Sequence, residues 1–273
     1  PKDLNLRRFF TVIGICVALT GCGSSSSNTP VTETIASFPN GAGVFRKDMV
    51  DPNTGTQGNT TKVLAYVPDL SKWVNDFSYS DVTSIANHNV PSLVNSIFGS
   101  GVDYYYDANA DVTILGENYN FVVLKVASSP VYLTGGYDAN SQLIGVAFGP
   151  KATNLPSGNF SYTGYHGITT NLTNAGSSGL FTMNVNFTDG TGSYAGNTTT
   201  VGVTGLNGNI TLDNTTGELS GTNLVLSGSL GGLDLTGKTA TLVGNFHGDG
   251  ATDVSGIFFT DNLDFAGGFL GNR

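Results

Sequence analysis

The side chains best suited to chemistry in this sequence are three histidines, His88, His166 and His247. Neutral imidazole is a common axial ligand of haem iron and of other transition metals, so ligation of haem or metal by His166 or His88 is the sharpest chemistry on offer. Strand alternation puts His166 on the face it shares with Phe160, Tyr162 and Gly164, and puts His247 opposite Phe246. His166 therefore points with the apolar side and His247 with the wetter side. A capping or mouth position in a β domain is the plainer role for each. No His-Glu-x-x-His or Cys-x-x-Cys pattern completes a metal site, and no Gly-x-Ser-x-Gly elbow presents a serine nucleophile. The expectation is a non-enzyme without resident metal or cofactor, for which haem would be a captured ligand.

Three further segments hold groups that could bind. Tyr104, Tyr105 and Tyr106 are consecutive, so in an extended segment they point to both sides and at least one is exposed, as tyrosines in protein interfaces are. Asp107-Ala108-Asn109-Ala110-Asp111 places an oxygen ligand at every second residue, as a calcium loop begins, but the following Gly and distal Glu are missing. It reads as a solvated turn. Gly228 to Gly232 lacks the Lys of a phosphate loop and reads as a hairpin. The candidate ligand-binding residues are therefore His88, His166, Tyr104, Tyr105 and Tyr106.

The elements that must position these groups are strands. Thirty-eight glycines and only 11% charged residues could signal disorder, but aromatics reach 10% and alternate with polar residues, which describes short strands joined by tight turns. Strands are expected at 63–67, 103–106, 112–115 and 120–126, then in a dense series at 131–137, 142–148, 159–165, 180–187, 192–195, 203–212, 218–227, 240–247 and 256–260. In the clearest of them Phe181, Met183, Val185 and Phe187 alternate with Thr182, Asn184 and Asn186. Asp189-Gly190, Asn207-Gly208 and Asn214 to Gly217 supply the positive-φ positions of hairpins. Leu93, Val94, Ile97 and Phe98 fall on one face of a short helix over 91–98, stopped by Gly99 and Gly101. The chain thus divides into a small α+β unit over 44–128 and an all-β unit over 129–273, for which closure into an antiparallel barrel would remove exposed edges.

The amino-terminal part has a different character. Lys2, Arg7 and Arg8 precede an apolar run from Phe9 to Leu19 that is too short to span a bilayer, the layout of a signal peptide over 1–21. Leu19-Thr20-Gly21-Cys22 resembles the lipobox of bacterial lipoproteins, which implies that Cys22 is acylated and anchors the mature chain to a membrane. Residues 22–43, opening with Gly23 and four serines, read as a flexible tether. Gly23 rather than Asp after the anchor cysteine matches the lipoprotein pattern for the outer membrane. Without residues 1–21 the formal charge moves from −9 to −11. An acidic chain with no basic stripe argues against nucleic acid and against electrostatic lipid binding. Cys16 leaves with the signal, so no disulfide is expected.

Two segments carry a family likeness. Leu155 to Gly164, followed by Gly179 to Phe187 and Gly192, resembles the opening strands of the barrel domain of transferrin-binding protein B: a Pro-x-Gly turn, a Tyr-x-Gly strand, then a strand ending in a polar residue and Phe. Val243 to Phe258 is similar to that barrel's closing hairpin, with Phe246, Gly248, Ala251, Gly256 and Phe258 matching and His247 and Asp249-Gly250 departing from the usual Tyr and Gly-Pro. The resemblance implies a handle domain ahead of an eight-stranded antiparallel up-and-down barrel on an outer-membrane surface lipoprotein of a Gram-negative cell. It further implies non-catalytic capture of a protein, haem or glycan, with a TonB-type receptor or a surface-lipoprotein translocator as partner. A structural or adhesive lipoprotein without a small ligand is the alternative.

Overall fold

The computed structural model describes residues 33–34, 41–47, 63–67, 74–79, 83–84, 104–114, 117–126, 129, 131–137, 143–170, 172–173, 175–198, 202–261 and 264–273. Cys22, His88 and the helix expected over 91–98 lie outside them. Among the described residues every regular element is a strand, and these strands form two antiparallel sheets.

The first sheet contains β1 (Glu33–Thr34), β2 (Gly41–Lys47), β3 (Val63–Val67), β4 (Val74–Tyr79), β5 (Thr83–Ser84), β6 (Tyr104–Ile114), β7 (Glu117–Val126), β8 (Tyr132–Tyr137) and β9 (Leu143–Pro150). Its order is β1-β4-β6-β7-β8-β9-β2-β3, with β5 beside β6. The second contains β10 (Asn159–Thr170), β11 (Ala175–Asn186), β12 (Thr191–Thr198), β13 (Thr204–Leu212), β14 (Glu218–Leu230), β15 (Leu233–Asp234), β16 (Thr239–His247), β17 (Asp253–Phe259) and β18 (Phe265–Asn272). Short β15 turns back on β14, and the other eight close into a ring, because β13 pairs with β14 and β10 pairs with β18 from Thr163↔Asn272 to Thr170↔Phe265. The result is an eight-stranded antiparallel barrel with no unpaired edge.

Alternation decides what fills it. On β11, Phe181, Met183 and Val185 are buried while Thr182 and Asn184 are exposed, and Phe187 just past the strand is buried as well. The interior is an aromatic stack: Phe246 lies 5.0 Å from Tyr162 and 4.9 Å from Phe187 by ring centroid, and Phe181 and Tyr194 stack at 5.4 Å. Each such ring removes a large apolar area from water, so the barrel is a packed core rather than a channel.

The first sheet covers part of the barrel wall. Val243, Ile257 and Leu270 alternate with core-facing Leu242, Phe258 and Phe269, yet they are buried too. Strands β2, β8 and β9 contact β16, β17 and β18 there, and a Cβ built on Gly268 would touch the Leu133 side chain. Ser129 Oγ donates to Asp253 Oδ1 at 2.8 Å across the same boundary.

Several expectations are corrected. The strands read at 131–137 and 142–148 form, but as β8 and β9 they pair with β7 and β2, so the barrel begins at Asn159 and not at 129. Two strands and a turn read over 103–115 are one strand, β6, in which Asp107 and Asp111 pair with β7 and a register shift between Asp107 and Ala110 takes up Ala108 and Asn109. Glu33–Thr34, placed in the tether, pairs with β4. Gly190 and Gly217 adopt the positive φ expected of their turns, but Asn207-Gly208 lies within β13 opposite a bulge, where a Cβ on Gly208 would come within 2.8 Å of Leu224 Cγ. The hairpin of β16 and β17 forms as expected, yet the ring is completed by β18, a strand not anticipated from its glycines.

Candidate functional site

The two described histidines sit on opposite sides of the barrel wall. Both come from strands whose alternation sets their direction, and both are fully buried. His166 on β10 faces inward, stacked on Phe258 at 4.9 Å with ring planes 9° apart. Its Nδ1 is 2.8 Å from Tyr194 Oη, and its Nε2 has no hydrogen-bond partner. Residue 196 on β12 is glycine at the place where a Cβ would lie 2.4 Å from the imidazole Nδ1. Desolvation lowers the pKa of His166 to about 3, so the ring is neutral at any physiological pH.

His247 on β16 faces outward, as alternation requires, but that face is not wet. The first sheet lies on it: His247 Nδ1 is 3.1 Å from the Pro150 carbonyl and Nε2 is 2.8 Å from Ser255 Oγ on β17. Burial holds its pKa at about 4, with the Pro150 hydrogen bond working against the shift. Lys151 bridges to His247, and Thr153 and Asn154 donate to the Asp249 carboxylate, so the connector from β9 to β10 is bound along the end of β16. His247 is a joint between the two units. Asn245, two residues earlier on the same face, is also buried, and its Oδ1 lacks a partner.

Tyr104, Tyr105 and Tyr106 pair along β6 with Val126, Lys125 and Leu124, and their side chains lie outside the described residues. Of the sequence-predicted binding residues, His166 alone has its side chain among the described residues, and it lies in the barrel interior. Among the described residues no group of three His, Cys, Asp or Glu side chains could hold a metal ion. No helix among them is long and apolar enough to cross a membrane.

What the sequence reading passed over is the uncovered wall of the barrel. A groove of about 710 Å³ runs over β10, β11, β12 and β13 at the end of the Asp189-Gly190 turn. The registers Ser161↔Asn184, Asn184↔Ser193 and Ser193↔Asn209 carry one row of amides and hydroxyls across four strands. Alternation marked Asn184 as outward-facing, but the row exists only once the registers are set.

No protein-family model matches the chain, and no curated protein matches it. Among solved structures it is similar to the apo haemoglobin receptor HpuA of Kingella denitrificans, at 12% identity over 96% of this chain and 93% of that one, with a TM-score of 0.44. It is similar to transferrin-binding protein B of Neisseria meningitidis at 17% identity over 57% of this chain and 40% of that one, TM-score 0.37. It is also similar to the N-lobe of lactoferrin-binding protein B of Moraxella bovis at 12% identity over 85% of this chain and 98% of that one, TM-score 0.33.

Proposed function

We propose that the chain is a lipid-anchored outer-membrane lipoprotein that captures a ligand without chemically changing it. The observation that carries this reading is the barrel interior, filled by Tyr162, Phe181, Tyr194, Phe246 and Phe269. A barrel filled by these rings leaves no internal chamber for a substrate among the described residues, so a ligand is met on the walls and loops. Cys22 in its lipobox-like setting and the serines after it support tethering at a surface. The proteins named above bind haemoglobin, transferrin or lactoferrin by name, and ligands of that kind belong in the capture assay for this one. Release to a TonB-type receptor, or delivery by a surface-lipoprotein translocator, completes the proposal.

Fractionation tests the anchor. Buried acyl carbons contribute about 0.8 kcal/mol per CH2, so the acylated protein stays with membranes through a carbonate wash and Cys22→Ala is released. An alanine variant that remains in the membrane pellet overturns the anchor. Pull-down by whole cells, comparing wild type with a deletion strain, tests capture, and equal recovery of haemoglobin, transferrin, lactoferrin, haem and glycans from both overturns it.

A further inference from the structure

We propose that the contact between the first sheet and the barrel is an acid-sensitive clasp, released when His247 takes up a proton. The proposal is independent of the ligand-capture reading, since it concerns how the two sheets hold each other. His247 lies where three segments meet: its own strand β16, strand β17, and the end of β9 with the connector that follows. It is 0% exposed, and glycine at 149 leaves it room, because a Cβ there would lie 2.9 Å from its Nδ1 and 3.0 Å from Val131 Cγ2.

Both ring nitrogens are committed to neutral partners. The Pro150 carbonyl can only accept, so Nδ1 carries the proton and donates to it at 3.1 Å, and Nε2 accepts from the Ser255 hydroxyl at 2.8 Å. A second proton, on Nε2, would create a buried imidazolium with no anion bonded to it. The charged groups around it are otherwise engaged. Asp253, opposite His247 on β17, accepts from Ser129 and Thr252, and Asp249 accepts from Thr153 and Asn154. Lys151, bridged to His247 through the backbone, carries the same charge an imidazolium would. Glu218 of β14 pairs with Asn245, two residues along β16, and Arg273 beyond β18 donates to the Gly250 carbonyl. On β8 and β9 the only ionisable residues are Tyr132 and Tyr137. On β2, Arg46 and Lys47 lie roughly 17 Å or more along the strand from Gly41, the residue that pairs with Pro150.

The clasp can open without undoing the barrel. Each of the eight ring strands is paired on both sides within the ring. To this the first sheet and the connector add side-chain packing, the backbone bridges at Lys151 and Thr153, and the hydrogen bond from Ser129 to Asp253. Apolar contact through Val243, Ile257 and Leu270 favours the closed joint. Against it, on the same outward wall, stand buried His247 and buried Asn245, whose Oδ1 has no partner. Parting returns both to water, where His247 titrates near 6.5 rather than at about 4. A histidine whose proton affinity is lowered by docking supports docking fully above its free pKa, and that support is lost as the pH falls from 6.5 towards 4.

Thiol labelling of the purified full-length protein in detergent, read at the engineered site by peptide mass spectrometry, tests the proposal. Ile257→Cys puts a thiol on the outer wall beneath the first sheet, and Met183→Cys puts one in the barrel interior. After correction by a free-cysteine peptide at each pH, labelling at 257 should rise roughly 25-fold from pH 7.5 to 5, the ratio the two pKa values dictate. His247→Gln keeps a donor and an acceptor and should remove most of that rise, while labelling at 183 stays about tenfold or more slower at pH 5. A flat profile at 257 overturns the proposal, as does an equal rise with His247→Gln. Labelling at 183 in step with 257 also overturns it, because the whole barrel would then be unfolding. Val243→Cys, opposite Ile257 in the register, repeats the measurement if the first reporter disturbs the fold. Should circular dichroism show that His247→Gln does not fold, the profile at 257 decides alone: a rise confined to above pH 6.5 or to below pH 4 overturns the proposal.

Discussion

Inside the barrel the imidazole of His166 and the phenol of Tyr194 face each other at 2.8 Å, a polar contact within an aromatic core. Phe258 covers the ring, and His166 Nε2 finds no partner, so this histidine is a packing residue with one hydrogen bond. His166→Ala should lower stability by about 2–5 kcal/mol, the cost of a core cavity with an unpaired Tyr194 hydroxyl added. Any haem absorbance of the wild-type protein should persist in the variant once the remaining folded fraction is allowed for. Loss of a haem band with an unchanged melting temperature would contradict this packing role.

The same burial makes stability depend on pH with a definite sign. The folded pKa of His166 is lowered to about 3 and that of His247 to about 4, both chiefly by desolvation. In the unfolded chain they titrate near 6.5, so below that pH the unfolded state binds protons that the folded state refuses. Stability is therefore insensitive to these groups above pH 6.5. It falls below it, by up to about 1.4 kcal/mol per pH unit for each histidine. Glu218, whose carboxyl is raised by burial and then by Asp213, acts in the opposite sense, so urea unfolding is best compared between pH 6.5 and 5. His166→Phe keeps the stacking and should roughly halve the slope in that window; an unchanged slope would show that His166 does not set it.

Inward and outward residues of one barrel should differ sharply in cost. Phe246 is 1% exposed and packs on Tyr162 and Phe187. Phe246→Ala should cost about 3–5 kcal/mol in urea unfolding of the full chain. Asn184→Ala, on the exposed face, removes one solvent-exposed hydrogen bond from Ser161 and should cost under about 0.5 kcal/mol. Comparable losses from the two would mean that the alternation on β11 and β16 does not reflect burial in solution.

Much of the barrel was legible because its signals are local. Alternation over Phe181 to Phe187 and the turns at Gly190 and Gly217 need no partner strand to be recognised. What depends on distant chain was not legible. His247 was correctly assigned to the outward face, but only the packing of the first sheet makes that face dry. Strand β18 reads FAGGFLGN, too rich in glycine to carry a period, and it forms because β10 and β17 offer open edges on both sides. The groove row over Ser161, Asn184, Ser193 and Asn209 was invisible because three registers must be known together.

Asn207-Gly208 shows how a strong turn signal can be overridden, and it yields the last prediction. The dipeptide lies in β13, where the register with β14 shifts between Asn207 and Thr211, and Leu224 of β14 presses against Gly208. A Cβ at position 208 would stand 2.8 Å from Leu224 Cγ and 3.0 Å from Leu224 Cα. Glycine is thus selected by the close approach of a neighbouring strand, with no positive φ involved. Gly208→Ala should destabilise the full chain by about 1–3 kcal/mol through overpacking. Leu224→Ala, which empties a fully buried site, should cost about 2–5 kcal/mol. Shortening Leu224 removes the γ carbon but not the backbone contact, so the double variant should cost less than the sum of the two by about 1 kcal/mol. Strict additivity in urea unfolding would show that the two strands do not meet at this point.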